Sequence, residues 1–375
     1  MRPWLTRLHR WIGLALALPV VAIAATGTAL VFHDAIVLAR LGPLVETASE
    51  KRIEAPASDL AAIEQLAGAD GWRTIKLPQP GFPLYRIWLN SGEQAYFAAG
   101  DDAFIDRFTP GTRIESLLFE IHTHLLAGPI GERLVGAMAI GLLALLFLGL
   151  AIWWPGRRLL RKRHFVPTST SPRQMLRSHS AWGAVMILLA TLSVATGAML
   201  VFSQPTLSAL KWLMPDDAAP RAAPPVVAPG AAIDWHQVVR NAAAVFADDQ
   251  LVFVIAPQAE RAHLTIRARR AAEWHPNGRS EILLEPGTGN VLAVRDATAA
   301  AAAERVFNKI YPLHVARGSV APLQPLTVLT GAVLCGLALT GLAGWLGRER
   351  IRRRVAAQSL TGRGPASEPA NRTNG

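Results

Sequence analysis

The sequence predicts an integral membrane protein: an all-α bundle of four transmembrane helices carrying two periplasmic α+β modules, arranged as a tandem duplication. Three observations predict it. The apolar residues gather into four long blocks, the basic residues cluster on one side of those blocks, and the second half of the chain repeats the first.

The chain has 375 residues, of which 51% are hydrophobic, enough for two or three soluble domains if the apolar residues were evenly spread. They are not. Ile12–Phe32, Leu134–Trp154, Trp182–Phe202 and Leu323–Leu346 contain no charged side chain. Each runs roughly 20 residues, the length that crosses a hydrocarbon core of about 30 Å. The first block follows Arg2, Arg7 and Arg10 and so imitates a secretory signal. It is longer than the usual apolar core of such signals and recurs later in the chain, so cleavage is not expected.

A net charge of +11 could suggest nucleic acid, but its placement argues otherwise. Between the second and third blocks lie Arg157, Arg158, Arg161, Lys162, Arg163, Arg173 and Arg177, without an acidic residue. Beyond the fourth come Arg348, Arg350, Arg352, Arg353 and Arg354. Short basic loops beside spanning helices mark the cytoplasmic side, so the N-terminus, the middle loop and the C-terminus are expected inside, with no nucleic-acid partner. Cys335, the single cysteine, sits in the fourth block. That excludes an intramolecular disulfide and covalent haem attachment through a Cys-x-x-Cys-His motif.

The repeat is visible without gaps. His9 falls on His179, Gly13 on Gly183, Ala25-Thr26-Gly27 on Ala195-Thr196-Gly197, and Leu30-Val31-Phe32 on Leu200-Val201-Phe202. In the later helices His124-Leu-Leu-Ala-Gly128 matches His314-Val-Ala-Arg-Gly318, and Gly149-Leu-Ala-Ile-Trp153 matches Gly341-Leu-Ala-Gly-Trp345. Because each copy starts and ends inside, a pseudo-twofold axis along the membrane normal is expected.

The expected division is therefore spanning helices at 9–36, 119–155, 179–205 and 313–347. Soluble modules fill 43–118 and 206–312, a basic loop 156–178, and a cytoplasmic tail 348–375. In the first module Asp59–Leu66 reads as a helix and Thr74–Leu77, Tyr85–Asn90 and Ala95–Ala98 as strands. In the second, Trp235–Phe246 has helical spacing, while Gln250–Ile255 and His263–Arg269 alternate like strands. Glu281–Glu285 meets Val291–Val294 through Pro286-Gly-Thr-Gly289, a hairpin signal. Thr298–Ile310 leads back to the membrane as a helix, Ala218–Ala232 is a linker and Gln358–Gly375 a tail. Trp72, Tyr85, Trp88, Trp235 and Trp274 are expected to form the small cores of these modules rather than a substrate surface.

Leu8-His9-Arg10-Trp11-x-Gly13, Ser178-His179-x-x-x-Gly183 and the His-x-x-x-Gly segments at His124 and His314 together resemble the PepSY-associated transmembrane family over about Leu8 to Leu346. That family comprises bacterial inner-membrane proteins, among them iron-regulated ferrisiderophore reductases. The resemblance implies PepSY-like periplasmic modules and about two non-covalently bound b-type haems held by histidine pairs. It also implies electron delivery to a ferric siderophore at the periplasmic face, releasing iron during uptake. Two departures stand out: helix three has Ala181 where the first has Trp11, and Tyr311-Pro-Leu-His314 offers a single histidine.

Six of the ten histidines fall at expected membrane boundaries: His9 and His179 inside, and His33, His122, His124 and His314 outside. Ionisable groups there are costly and usually functional, and neutral imidazole is a common ligand of haem iron. The repeat suggests His9 with His179 and His124 with His314 as the first pairs. His9 and His33 are 24 residues apart, roughly 36 Å of helix, so one haem could not serve both clusters. His33 has Ser203 as its counterpart, and His122 has none; they could pair with each other, or one could replace His124. His164, His236, His263 and His275 are expected in surface or packing roles, while Arg10, Arg133 and Arg317 are placed to grip propionates. Gly13, Gly27, Gly183 and Gly197 would permit close helix approach.

No Gly-x-Gly-x-x-Gly follows a strand, so an outside electron donor, a quinol or a cytoplasmic reductase, is expected. Two rival readings remain. A transporter of iron, siderophore or copper would need polar residues near mid-membrane, where only threonine and serine occur. A non-catalytic anchor presenting periplasmic binding modules has no use for histidines at the inner face.

Overall fold

A computed structural model describes residues 3–42, 56–101, 103–154, 164–215, 232–257 and 262–361. Arg157, Arg158, Arg161, Lys162 and Arg163, most of the Ala218–Ala232 linker and most of the Gln358–Gly375 tail lie outside the described residues. Among the described residues, four helices are long and apolar enough to cross a membrane. They are α1 (Pro3–Leu30), α5 (Gly128–Trp153), α6 (Pro172–Val201) and α10 (Gln324–Thr361). Large apolar side chains stand exposed along them, Leu188 at 81% and Leu18 at 69%. Only lipid would cover such surfaces without cost.

Shorter helices flank the spans. They are α2 (His33–Leu41), α3 (Pro56–Ala67), α4 (Ile114–His124), α7 (Ser203–Leu213), α8 (Trp235–Val245) and α9 (Ala302–Val315). The expected span 119–155 is thus carried by α4 and α5, and the expected span 313–347 by α9, a 3₁₀ turn at Gly318–Leu323, and α10. Both interruptions use left-handed backbone, at Leu125 and Leu126 in one case and Ala316 in the other. Such conformations are uncommon outside glycine and end an α-helix.

The strands are β1 (Trp72–Lys76), β2 (Leu84–Leu89), β3 (Gln94–Ala98), β4 (Asp106–Phe108), β5 (Gln250–Ile255), β6 (Leu264–Arg269), β7 (Ser280–Leu284) and β8 (Val291–Arg295). Expected as two modules, they form one antiparallel sheet in the order β4-β3-β2-β1-β5-β6-β7-β8. The seam is the β1–β5 pair, where Thr74, Ile75 and Lys76 face Ile255, Val254 and Phe253. Pairing the first strand of each set covers two edges that would otherwise invite aggregation.

Alternation along the strands sorts the two faces. Ile75, Tyr85, Ile87, Phe97, Val254, Ile266 and Ile282 point to one side and are buried with Leu60 and Ile63 of α3 and Val238 and Ala242 of α8. Trp72 and Trp235 meet there at 5.7 Å between ring centroids, and Trp235 Nε1 donates to Glu64 at 2.7 Å. Asp59, also buried, accepts from the Tyr85 hydroxyl and the Gly100 N–H. The four aromatic residues Trp72, Tyr85, Trp235 and Phe97 are therefore core.

On the opposite face α2 packs Val37 and Leu41 against Leu84, Tyr96 and Phe108. An ionic clasp fixes α2 to β4 and α4: Arg40 reaches Asp106 and the fully buried Glu115, each at 2.7 Å, and Arg113 reaches Asp106. Buried charges need such partners, and this set of bonds fixes the direction in which α4 runs.

Ile75→Ala at the seam should cost about 2–4 kcal/mol, because Ile75 is fully buried and β1 is held on both sides. The thermal midpoint of the detergent-purified protein should fall accordingly; an unchanged midpoint would show that the seam does not contribute to the core.

Candidate functional site

The chain divides into two compact units, one comprising Met1–Val21, Gly141–Ala190 and Val333–Gly375, the other Ala22–Ile140 and Thr191–Ala332. Each contains one pair of facing histidines. In the first unit His9 and His179 lie 6.1 Å apart between ring centroids, with planes at 80°. In the second, His122 and His314 lie 6.1 Å apart at 35°.

All four rings rest on a glycine of a neighbouring helix, and at three of them one further device recurs. His122, from α4, lies against Gly27 of α1, and its Nδ1–H donates to the Ile23 carbonyl at 2.8 Å. His314, from α9, lies against Gly197 of α6, with Nδ1–H to the Ser193 carbonyl at 3.1 Å. His179, from α6, lies against Gly341 of α10, with Nδ1–H to the Leu337 carbonyl at 2.8 Å. In each case the acceptor is the residue four before the glycine. A side chain at the glycine would enter the ring: its Cβ would lie 2.6 Å from His122 Cε1 at Gly27 and 3.0 Å from His314 Cε1 at Gly197.

A carbonyl only accepts, so these three Nδ1 atoms carry the proton and each Nε2 keeps its lone pair. A threonine precedes each of these three glycines, and its hydroxyl donates chiefly to the carbonyl four residues before it, Thr26 to Ala22 at 2.7 Å, Thr196 to Leu192 at 2.8 Å and Thr340 to Gly336 at 2.6 Å. At the fourth ring, His9 lies against Gly149 with Cε1 3.3 Å from a built Cβ, but Leu148 stands where the others have threonine. There the Leu145 carbonyl, four residues before the glycine, takes the acceptor's place, but His9 Nδ1 is buried without a well-formed hydrogen bond among the described residues.

The arrangement suits a metal atom bound between two imidazoles. Two metal–nitrogen bonds of about 2 Å each span most of the separation between paired centroids, the half-rings filling the remainder. A hydrogen bond from the other ring nitrogen to backbone carbonyl is the usual way a ligating imidazole is oriented. Among the described residues no group of three or more histidine, cysteine or acidic side chains could hold a metal ion by itself.

The structure sorts the six boundary histidines. It brings His9 to His179 and His314 to His122. His124, matched to His314 by the His-x-x-x-Gly motif, stands apart: Thr123 Oγ1 and Glu120 lie at 2.8 and 3.1 Å from its Nδ1, and Phe119 packs beside it. Residues two apart on a helix point about 200° apart, so α4 can present only one of the two. His122 lies seven positions after buried Glu115 and shares its face. His33 donates from Nδ1 to Asp34 at 2.8 Å and faces Arg86 with Nε2 at 3.3 Å, so both of its nitrogens are engaged within the protein.

Asp34, Lys76 and Arg86 stand out only in the structure. Arg317, expected near a ligand histidine, reaches Asp34 at 2.9 Å, and Arg86 also bonds Gln94 at 2.7 Å. Lys76, on β1, is pushed down to about 8 by burial, with Arg86 and Arg317 adding to the effect and Asp34 opposing it. His275 is buried, stacks on Tyr311 at 4.8 Å, and is held down to about 2 by burial and then by Arg279 and Arg267. It is a neutral packing residue at any physiological pH. Adjacency to His33 was the only sequence signal for Asp34; Lys76 and Arg86 gave none beyond alternation along a strand.

Four long apolar helices define a multi-pass membrane protein. The chain belongs to the PepSY-associated TM region family, whose model matches residues 6–348. No curated protein matches the chain.

Gly27→Ala should displace His122, whereas Gly341→Ala, where the built Cβ lies 3.4 Å from His179, should be tolerated. Nitrogen-15 spectra of histidine-labelled protein should show the Nδ1-protonated tautomer of His122 lost in the first variant and that of His179 kept in the second. Equal effects would refute the clamp.

Proposed function

We propose that this protein is a bacterial inner-membrane reductase that binds haem b at its two histidine pairs and delivers electrons to a ferric siderophore, releasing iron in the periplasm. The observation that carries this reading is the recurrence of facing imidazoles, each seated on a glycine, three of them with Nδ1–H bonded so that Nε2 keeps its lone pair. His9 and His179 would hold one haem and His122 and His314 the other, with His33 and His124 outside the ligand set.

Bound haem supplies a one-electron couple whose potential is set by axial ligands, burial and neighbouring charge. The chain's own contribution is to fix ring orientation through the Ile23, Ser193 and Leu337 carbonyls and to exclude water by helix packing. One electron from an outside donor, a quinol or a cytoplasmic reductase, converts each ferric ion to ferrous. A quinol therefore serves two ferric ions. Ferrous ion, softer and lower in charge, is held less tightly by hard-oxygen chelates and leaves.

The basic run Arg348–Arg354 at the end of α10 supports a cytoplasmic location for that end, with the sheet then periplasmic. A tandem duplication is supported by the repeated order of one helix, four strands and a helix bearing a ligand histidine: α3, β1–β4, α4 and then α8, β5–β8, α9.

Visible spectra of the purified protein, oxidised and dithionite-reduced, should show b-type bands, with a pyridine haemochrome ratio of about two per chain. His122→Ala and His314→Ala should each remove the same one of the two haems, His9→Ala and His179→Ala the other, and His124→Ala neither. A colourless protein, or loss on His124→Ala but not His122→Ala, would refute this assignment.

A further inference from the structure

The sheet face that carries α2 also bears a row of side chains crossing three strands. Arg86 of β2 lies opposite Lys76 of β1, and Lys76 lies opposite Phe253 of β5. The Arg86 guanidinium stacks over Trp88 at 4.8 Å, Trp88 meets Phe253 at 6.2 Å, and Lys76 Nζ lies 5.8 Å from the Phe253 ring. Arg317, three residues after His314, joins this row through Asp34.

The charges do not balance. Lys76, Arg86 and Arg317 are three cations; Asp34 is the one carboxylate among them, already bonded to Arg317 and His33. Among the described residues Arg86 bonds neutral partners, Gln94 and His33. Lys76 has no hydrogen bond or ion pair among the described residues, although it is half-buried. Nearby carboxylates are committed elsewhere, Glu281 to Arg267 and Arg295, and Glu273 to Ser280 and the Arg279 N–H. Desolvating an unpaired ammonium costs several kcal/mol, a cost that an anionic ligand would offset.

The cluster lies beside the second histidine pair. Arg317 approaches the Val31 carbonyl, and Val31 follows Gly27, on which His122 rests, by four residues, about 6 Å of helix. Asp34 is 39% exposed and Arg317 23%, so a solute can reach them.

We propose that Lys76, Arg86 and Arg317, floored by Trp88 and Phe253, form the docking site for the ferric substrate and select chelates with anionic oxygen donors, carboxylate or catecholate, over neutral or cationic ones. The aromatic pair takes the flat apolar part of the chelate while the cations meet its charge. This inference rests on the reductase reading, but binding can be measured without reduction.

Gallium(III) complexes serve as redox-inert probes. Equilibrium dialysis of the full-length detergent-purified protein should show trianionic gallium tris-catecholate bound about tenfold or more tightly than monocationic gallium desferrioxamine B. Lys76→Met should abolish that preference, Lys76→Arg restore it, and neither should change the haemochrome ratio. Equal binding of both probes to the unaltered protein, or an unchanged preference in Lys76→Met, would overturn the proposal. So would loss of haem in Lys76→Met, which would assign the cations to the cofactor's own carboxylates. A haem-free but probe-selective protein would end the reductase reading and leave the site standing.

Discussion

The contact between a histidine ring and a glycine of the neighbouring helix, with Nδ1–H returned to the carbonyl one turn earlier, is the constraint on which the rest depends. In lipid there is little hydrophobic drive to bring helices together, and close approach relies on small residues and interhelical hydrogen bonds. The glycine provides the approach and the carbonyl the bond. The acceptor already belongs to an α-helix, so it must have a lone pair to spare. Threonine at the preceding position, at three of the four rings, turns its hydroxyl back to the carbonyl of its own helix four residues earlier and so leaves the histidine's acceptor to the imidazole.

The soluble elements serve the same end. Joining β1 to β5 makes one sheet out of two sets of strands, so the helices that return to the membrane, α4 and α9, start from a single rigid support. The Arg40, Asp106, Glu115 and Arg113 clasp sets α4 at its first turn, and two turns later the same face presents His122. A slip of one residue there would turn His122 by about 100° away from Gly27.

Much of this was legible in the sequence because it rests on periodicity and length. The four spans, the alternating strands and the closeness of the His9 and His179 rings all follow from patterns of length and spacing. The β1–β5 seam was not legible, since the pairing of distant strands depends on which edges meet. Nor was the choice of His122 over His124. Motif alignment favoured His124, because the His-x-x-x-Gly spacing at residue 314 is reproduced there. The helix ends differ, however: two left-handed residues, Leu125 and Leu126, follow α4, where Ala316 alone follows α9. Spacing to a glycine does not fix a side chain's direction when the backbone between them leaves the helix.

The asymmetry between the four clamps has a physical consequence. An imidazole whose Nδ1–H bonds a carbonyl is fixed in one orientation and one tautomer, whereas one without that bond is held by packing alone. A ligating imidazole whose Nδ1–H is strongly polarised is the more basic donor at Nε2. His9 departs furthest from this pattern: it lacks the threonine, and its Nδ1 lacks a hydrogen-bond partner among the described residues. The two units therefore present unequal donor sets, His9 with His179 in one and His122 with His314 in the other. Three rings are thus held by a bonded Nδ1–H and the fourth by packing alone, so the two pairs are not chemically equivalent.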